Sequence, residues 1–409
     1  MSVVIPASSR SWIEVAPDNH FPIQNLPYAR FLSPDGRECA GFRIGDFAFD
    51  LLGFAAAAGV ELPANDRLST TLRRWRQVAF DFLRAENDAL RDNADLRRQF
   101  LFPVADVTVV TPNPAVFVDF YAGIHHASNV GKMFRPDQPP LLPNYKHVPI
   151  GYHGRATTVV GSGHSVVRPK GQVKPADGPP VYQPTGELDF ELELGFLAGA
   201  ATTHGDTLLP DRAREGVLGF VLINDWSARD VQRWEYQPLG PYLAKSFMTS
   251  ASDWMVLPDA LEPFRVVGME QDPAPLAHLA ETEPRAFDIH LEVWIQSARM
   301  TRPQRICVSN TQHVYWSHAQ QLAHQSSNGT PLVPGEMYAT GTISGPEAGT
   351  YGSLLELSWR GSQPLTLEET GETRTFLEDG DVVTMTGWAQ GDGFRVGFGE
   401  LVTRVDPAR

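Results

Sequence analysis

The segment GELDFELELGF, residues 186–196, alternates acidic and apolar side chains from Glu187 to Leu194. Glu187, Asp189, Glu191 and Glu193 occupy one set of positions, and Leu188, Phe190, Leu192 and Leu194 the other. Leu and Glu are good helix formers. Pro184 and Gly186 before the segment and Gly195 after it nevertheless leave too little room for a stable helix, and strict period two is the strand pattern. On a strand, side chains i and i+2 share a face about 6.5–7 Å apart. Two carboxylates at that distance repel by roughly 0.6 kcal/mol in water and roughly 2.5 kcal/mol at an effective dielectric near 20. Such a face is either fully solvated or holds a cation. Taken alone, an ordinary exposed strand face is the plainer reading, although a solvated face more commonly mixes both signs.

The rest of the chain favours β structure. Its 409 residues allow two or three domains and a sizeable core. The 35 glycines and 33 prolines favour short strands and turns. In the first ~110 residues, the turn signals Asp35-Gly36 and Gly45-Asp46 separate short apolar runs, predicting hairpins of a small β domain. Over 65–100, Leu68, Leu72, Trp75, Val78, Ala79 and Phe82 recur at helical spacing, predicting one or two amphipathic helices, with Asn65 or Asp66 as the cap. VTPNPAVF, residues 110–117, reads as a linker. Beyond it come short strands, including VLGFVLIND, DIHLEVWI, LLELSW and DVVTMTGWA, and a helix in SHAQQLAHQSSNG with Asn328-Gly329 at its C-terminal end. The expected fold is mainly β: a small N-terminal β-barrel-like domain with amphipathic helices over 1–113, then a larger C-terminal mixed β-sandwich roll with few helices over 114–409.

Charge and composition narrow the function. The net charge of −14 argues against nucleic acid and anionic membranes as partners. No stretch approaches the roughly 20 apolar residues of a membrane span, and no signal peptide is expected from the N-terminus. Two cysteines, Cys39 and Cys307, cannot build a disulfide framework or a thiolate zinc site, so a reducing, cytoplasmic setting is expected. HExxH, phosphate-loop and GxSxG patterns do not occur in a suitable context.

Two further acids stand in apolar settings: Asp119 in AVFVDFYAG, and Asp225 at the end of the apolar run VLGFVLIND. With Glu191 and Glu193 they would form an all-oxygen site suited to Ca²⁺ or Mg²⁺; turn or cap roles are equally open. His125 and His126 are adjacent and so do not chelate one ion; one of them could serve as a general base, and a structural histidine is the alternative. Arg135, Arg229 and Lys245 lie in or beside apolar-aromatic stretches, placed either for an anionic substrate or for ion pairs with the surplus acids.

Seven ordered motifs, VDFYAGIHHASNVGKMFR, PIGYHGR, LDFELELGF, NDWSARDVQRWEYQPLGP, KSFMTS, GTISGPE and LLELSW, together resemble the fumarylacetoacetate hydrolase family from about residue 115 onward. The resemblance implies Asp119, Glu191, Glu193 and Asp225 as Ca²⁺ ligands, His126 as the catalytic base and Glu356 as the acid that orients it. It implies Lys245, Arg229 and Gln232 around the leaving carbanion. Tyr121, Arg135, Tyr152, Gln232, Tyr236 and Thr342 match substrate contacts. A second cation, usually Mg²⁺, is implied at Asp225, Lys245 and Thr249, where Met248 and Ala244 replace the glycines usual in the family. The implied reaction is metal-dependent hydrolysis of a β-diketone carbon–carbon bond in a dianionic diketo acid, fumarylacetoacetate to fumarate and acetoacetate, closing tyrosine and phenylalanine breakdown. A homodimer is implied too. The alternatives are a related hydrolase, decarboxylase or isomerase of a diketo or oxo acid, and a non-catalytic Ca²⁺-stabilised module.

Overall fold

A computed structural model describes residues 3–65 and 67–409. The fold is mainly β, as the turn-rich pattern predicts. In the N-terminal part, five antiparallel strands line up in the order 101–103, 47–49, 38–44, 28–32 and 108–109. The Gly36 and Gly45 turns both have positive φ, which glycine adopts without steric cost. Helices Leu68–Leu83 and Ala94–Phe100 fall inside the predicted amphipathic stretch. Arg67 rather than Asn65 precedes the first helical residue, and Asp66 lies outside the described residues. A helix at Leu51–Ala58 was not expected; the run of alanines after Phe54 favours it.

The site is carried by a seven-stranded mixed sheet in the order 151–153, 117–120, 337–339, 192–198, 217–225, 249–251 and 159–160. Val217–Asp225 is buried throughout because both its faces are covered. Phe220 and Leu222 join the core shared with the sheet of Gln304–Asn310, His290–Gln296, Val382–Gln390, Arg395–Asp406 and Val166–Val167. Val221 and Ile223 join a second core with Phe42, Phe49 and Leu72 of the N-terminal part. That double burial is why VLGFVLIND reads as a continuous apolar run. No described helix is long and apolar enough to cross a membrane.

Two expectations change. LLELSW is not a strand: Leu354–Leu357 forms one helical turn, capped by the Ser353 side chain accepting from Glu356 N. The acidic segment is not one strand but two, Leu188–Asp189 and Leu192–Ala198, separated at Phe190 and Glu191. Asp189 pairs beside Ser227, whereas Leu192 pairs beside Asn224.

Candidate active site

Strand register explains how distant acids meet. Asp119 pairs opposite Ala339, which pairs opposite Gly195, two residues from Glu193. Glu193 in turn sits opposite Ile223, two residues from Asp225. Period two therefore puts Asp119, Glu193 and Asp225 on the same face at one end of four neighbouring strands. Glu191 continues the alternation of Glu193 and is steadied by a bridge to Ser353. One oxygen from each of the four lies within 4.8 Å of the others, and all four residues are buried. At that spacing each pair of charges repels by about 3.5 kcal/mol at an effective dielectric near 20.

The consequences appear in proton affinity. Burial, reinforced by the charge of Asp225, pushes the Asp119 carboxyl well above the ordinary carboxylate range. Burial and then Asp119 and Asp225 do the same to Glu193. Burial also raises Asp225, partly offset by Lys245. Glu191 goes the other way: burial opposes ionisation, but Lys245 and Arg229 outweigh it and hold the carboxyl low. The Lys245 ammonium bridges Glu191 and Asp225, lying 2.8 Å from Asp225 Oδ2. Arg229 reaches Glu191 at 2.7 Å and Asp189 at 2.8 Å.

Do these residues fit a metal ion? Asp119 Oδ1 and Glu193 Oε1 are buried without a hydrogen-bond partner among the described residues. Two unpartnered carboxylate oxygens inside a four-carboxylate cluster are costly unless a cation satisfies them. An all-oxygen donor set suits a hard divalent ion. The cluster fits such an ion.

Beside the cluster, helix Ile124–Phe134 places His126 and Asn129 on one buried face at i, i+3 spacing. His126 Nδ1 lies 2.6 Å from Glu356 Oε2. Asn129 Nδ2 donates to Oε1 at 2.9 Å, and the Ser344 and Ser353 hydroxyls donate to Oε2 at 2.8 and 2.9 Å. Burial alone would raise the Glu356 carboxyl, but the charge of His126 and these hydrogen bonds hold it below its usual value. His125 points elsewhere, its ring 5.7 Å from that of His313.

A cavity of about 540 Å³ gathers Asp119, Glu191, His126, Arg229, Lys245 and Gln232 with Tyr121, Arg135, Tyr152, Tyr236 and Thr342. Tyr121 stands edge-on to His126 with ring centres 5.5 Å apart. The Thr342 hydroxyl and Arg229 Nη2 are buried and unpartnered among the described residues, leaving them for a ligand. Thr249 is not on the cavity wall; its hydroxyl donates to Asp225 Oδ1 at 2.9 Å.

The plainer reading of an exposed strand face holds only in part at Glu187 and fails at Asp189. Glu187 is half-buried against Arg233. Asp189 is fully buried and accepts from Arg229 and from two backbone N–H groups. Asn129, Ser344 and Ser353 were also missed. Only Asn129 left a signal, its i+3 spacing from His126 in HHASN.

The chain is similar to known proteins over most of its length. The model of the family "Fumarylacetoacetate (FAA) hydrolase C-terminal" matches residues 115–406. The fumarylacetoacetase of Homo sapiens is 44% identical over 97% of this chain and 99% of its own. That of Oryza sativa subsp. japonica is 42% identical over 98% and 97%. Among solved structures, a fumarylacetoacetate hydrolase from Exiguobacterium antarcticum superposes with a TM-score of 0.51 at 19% identity, over 94% of this chain and all of that one, a likeness of fold. With the family's model covering most of the chain and its enzymes matching nearly the whole of it, the chain belongs to the fumarylacetoacetate hydrolase family.

Proposed function

We propose that this protein is a hydrolase of carbon–carbon bonds that cleaves 4-fumarylacetoacetate with water to fumarate and acetoacetate. The observation that carries this reading is that the Glu356-paired His126 shares one cavity with Asp119 and Glu191 of a buried four-carboxylate cluster. The near-full-length likeness to fumarylacetoacetases supports it.

The Nδ1 of His126 is engaged by Glu356, so Nε2 is the nitrogen left to take a proton from water. Glu356 stays ionised under its four hydrogen bonds and holds the ring in that tautomer. The resulting hydroxide adds to the ketone carbon. The carbon–carbon bond then breaks with its electron pair passing to the departing enolate, and the His126 imidazolium returns the proton to the enolate carbon. A divalent cation held by Asp119, Glu191, Glu193 and Asp225, Ca²⁺ in this reading, would supply Lewis-acid polarisation of the diketone oxygens. Burial acts against the charged form of Lys245, but Asp225 and Glu191 outweigh it and raise its pKa. Glu191 and Asp189 do the same for Arg229. Both therefore act as fixed positive charge for the enolate.

Gln232 accepts from Arg229 through Oε1, leaving its amide N–H groups for substrate. Arg135 and the hydroxyls of Tyr121, Tyr152, Tyr236 and Thr342 are assigned to the substrate's carboxylates and carbonyls. A second cation, Mg²⁺, is assigned to the neighbourhood of Asp225, Lys245 and Thr249. The Asp225 carboxylate, the Thr249 hydroxyl and backbone oxygens are the ligands available there, since the Lys245 side chain is an ammonium held by Glu191 and Asp225. We place the enzyme in the cytoplasm, as a homodimer, at the end of tyrosine and phenylalanine breakdown, with residues 1–113 as an N-terminal domain and 114–409 as the catalytic one. The test is turnover: loss of the diketone's absorbance, with fumarate and acetoacetate formed one to one, when Ca²⁺ is added to metal-stripped protein. Absence of turnover with Ca²⁺ or Mg²⁺ sinks the reading; a decarboxylase would release CO₂ instead, and an isomerase would conserve mass.

A further inference from the structure

We propose that Asp189 is a positioning residue that locks the proton-transfer half of the site to its cationic half. The proposal rests on the functional reading above and assigns Asp189 no contact with substrate. Its carboxylate is fully buried and spends every bond on catalytic machinery. Oδ1 accepts from Leu354 N at 2.7 Å, and Oδ2 from Leu355 N at 3.0 Å. These are the first two residues of the turn that carries Glu356. Oδ2 also accepts from Arg229 Nε at 2.8 Å.

The geometry of Arg229 shows why this matters. Nε is held by Asp189, and Nη1 by Glu191 at 2.7 Å and Gln232 at 3.1 Å. A planar guanidinium fixed along two edges has one orientation. The group left over is Nη2, buried and without a hydrogen-bond partner among the described residues, on a side chain that lines the cavity. Asp189 therefore decides where the free donor points. Through Leu354 and Leu355 the same carboxylate sets the depth of the turn from which Glu356 reaches His126. The turn lies 165 residues from Asp189 along the chain and Arg229 lies 40 residues from it, and Asp189 is bonded to both. A carboxylate with a purely local structural role would need neither the arginine nor the turn.

The test is Asp189→Asn. Whichever way its amide turns, at least one N–H now faces an NH₂ group, and Arg229 loses a counter-charge. The expected result is a kcat at least 50-fold lower with KM within threefold of wild type. In the metal-stripped protein, Ca²⁺ titrated by calorimetry should bind about tenfold more weakly, because Arg229 becomes an uncompensated cation beside Glu191. Combined with Glu356→Gln, the loss should be smaller than the product of the single losses. A lower melting temperature with wild-type kcat, unchanged Ca²⁺ affinity, or strictly multiplicative losses overturns the assignment. If Asp189→Asn does not fold, Asp189→Glu carries the test, keeping the charge but displacing both oxygens: reduced kcat with unchanged far-UV dichroism supports it, and wild-type kcat overturns it. Wild-type turnover tests the functional reading separately, and the Ca²⁺ titration reads Asp189 without substrate.

Discussion

At the scale of single residues, the pairing of His126 with Glu356 depends on an anionic Glu356. His126→Ala should lower kcat by about 10³-fold, within the usual range for a general base, and leave KM nearly unchanged, read by single-turnover kinetics. Equal kcat in the variant would remove His126 from the mechanism. The carboxylate cluster gives a prediction with two opposite signs. Glu193→Gln keeps an acceptor for Gly341 N, 3.0 Å away, but removes one of four crowded charges. Metal-free protein should gain stability on the order of 1 kcal/mol, while Ca²⁺ affinity falls by tenfold or more. Thermal melts with and without Ca²⁺ measure both. The four acids stand in apolar or alternating settings that mark them as candidates, whereas the choice of His126 over His125 comes only from the family resemblance. Ser344 and Ser353 carry no such mark, because a serine that donates to a buried carboxylate looks like any turn serine until the fold brings Glu356 beside it.

At the scale of elements, two close backbone crossings hold the site. Gly341 has φ +78° and passes Phe120, so that an added Cβ would lie 2.2 Å from its carbonyl oxygen. Gly123, at the start of the His126 helix, passes Thr342 O just as closely. Gly341→Ala is expected to cost at least about 2 kcal/mol from the left-handed backbone and the clash. It should also weaken Ca²⁺ binding, since Gly341 N is bonded to Glu193; chemical denaturation and calorimetry check each part. Alternation predicts strand where Leu192–Ala198 forms one, and the continuous apolar run VLGFVLIND predicts the strand Val217–Asp225. LLELSW failed because four residues cannot display a period: the Ser353 cap and the bonds to Asp189 decide for a helical turn. GELDFELELGF was read as one strand although its pairing changes partner at Phe190, a switch no local pattern announces.

For the whole molecule, the cluster links metal, protons and stability. Asp119, Glu193 and Asp225 have folded-state pKa values above their ordinary ones. Such groups favour the folded state at pH below their unfolded values, and that advantage is lost as pH rises through the raised ones. Metal-free protein should therefore lose stability as pH climbs above the ordinary carboxylate range, and saturating Ca²⁺ should abolish the decline. Ca²⁺ affinity should fall as pH drops, because ion and protons compete for the same oxygens. At a hundredfold excess over Kd the ion should add about 2.7 kcal/mol. Melting curves across pH, with and without Ca²⁺, decide it; parallel curves would show that the cluster holds no ion.

By itself the sequence determined the local choices: an alternation that favours strand, an apolar run ending in a carboxylate, and a face of acids that is either solvated or balanced by a cation. These follow from backbone periodicity and charge, which act over a few residues. Only the tertiary structure decided which acids converge, that Asp189 is buried rather than solvated, and which side of the imidazole is free. Those outcomes depend on register between strands far apart in the chain and on desolvation, and neither quantity exists until the sheet has closed.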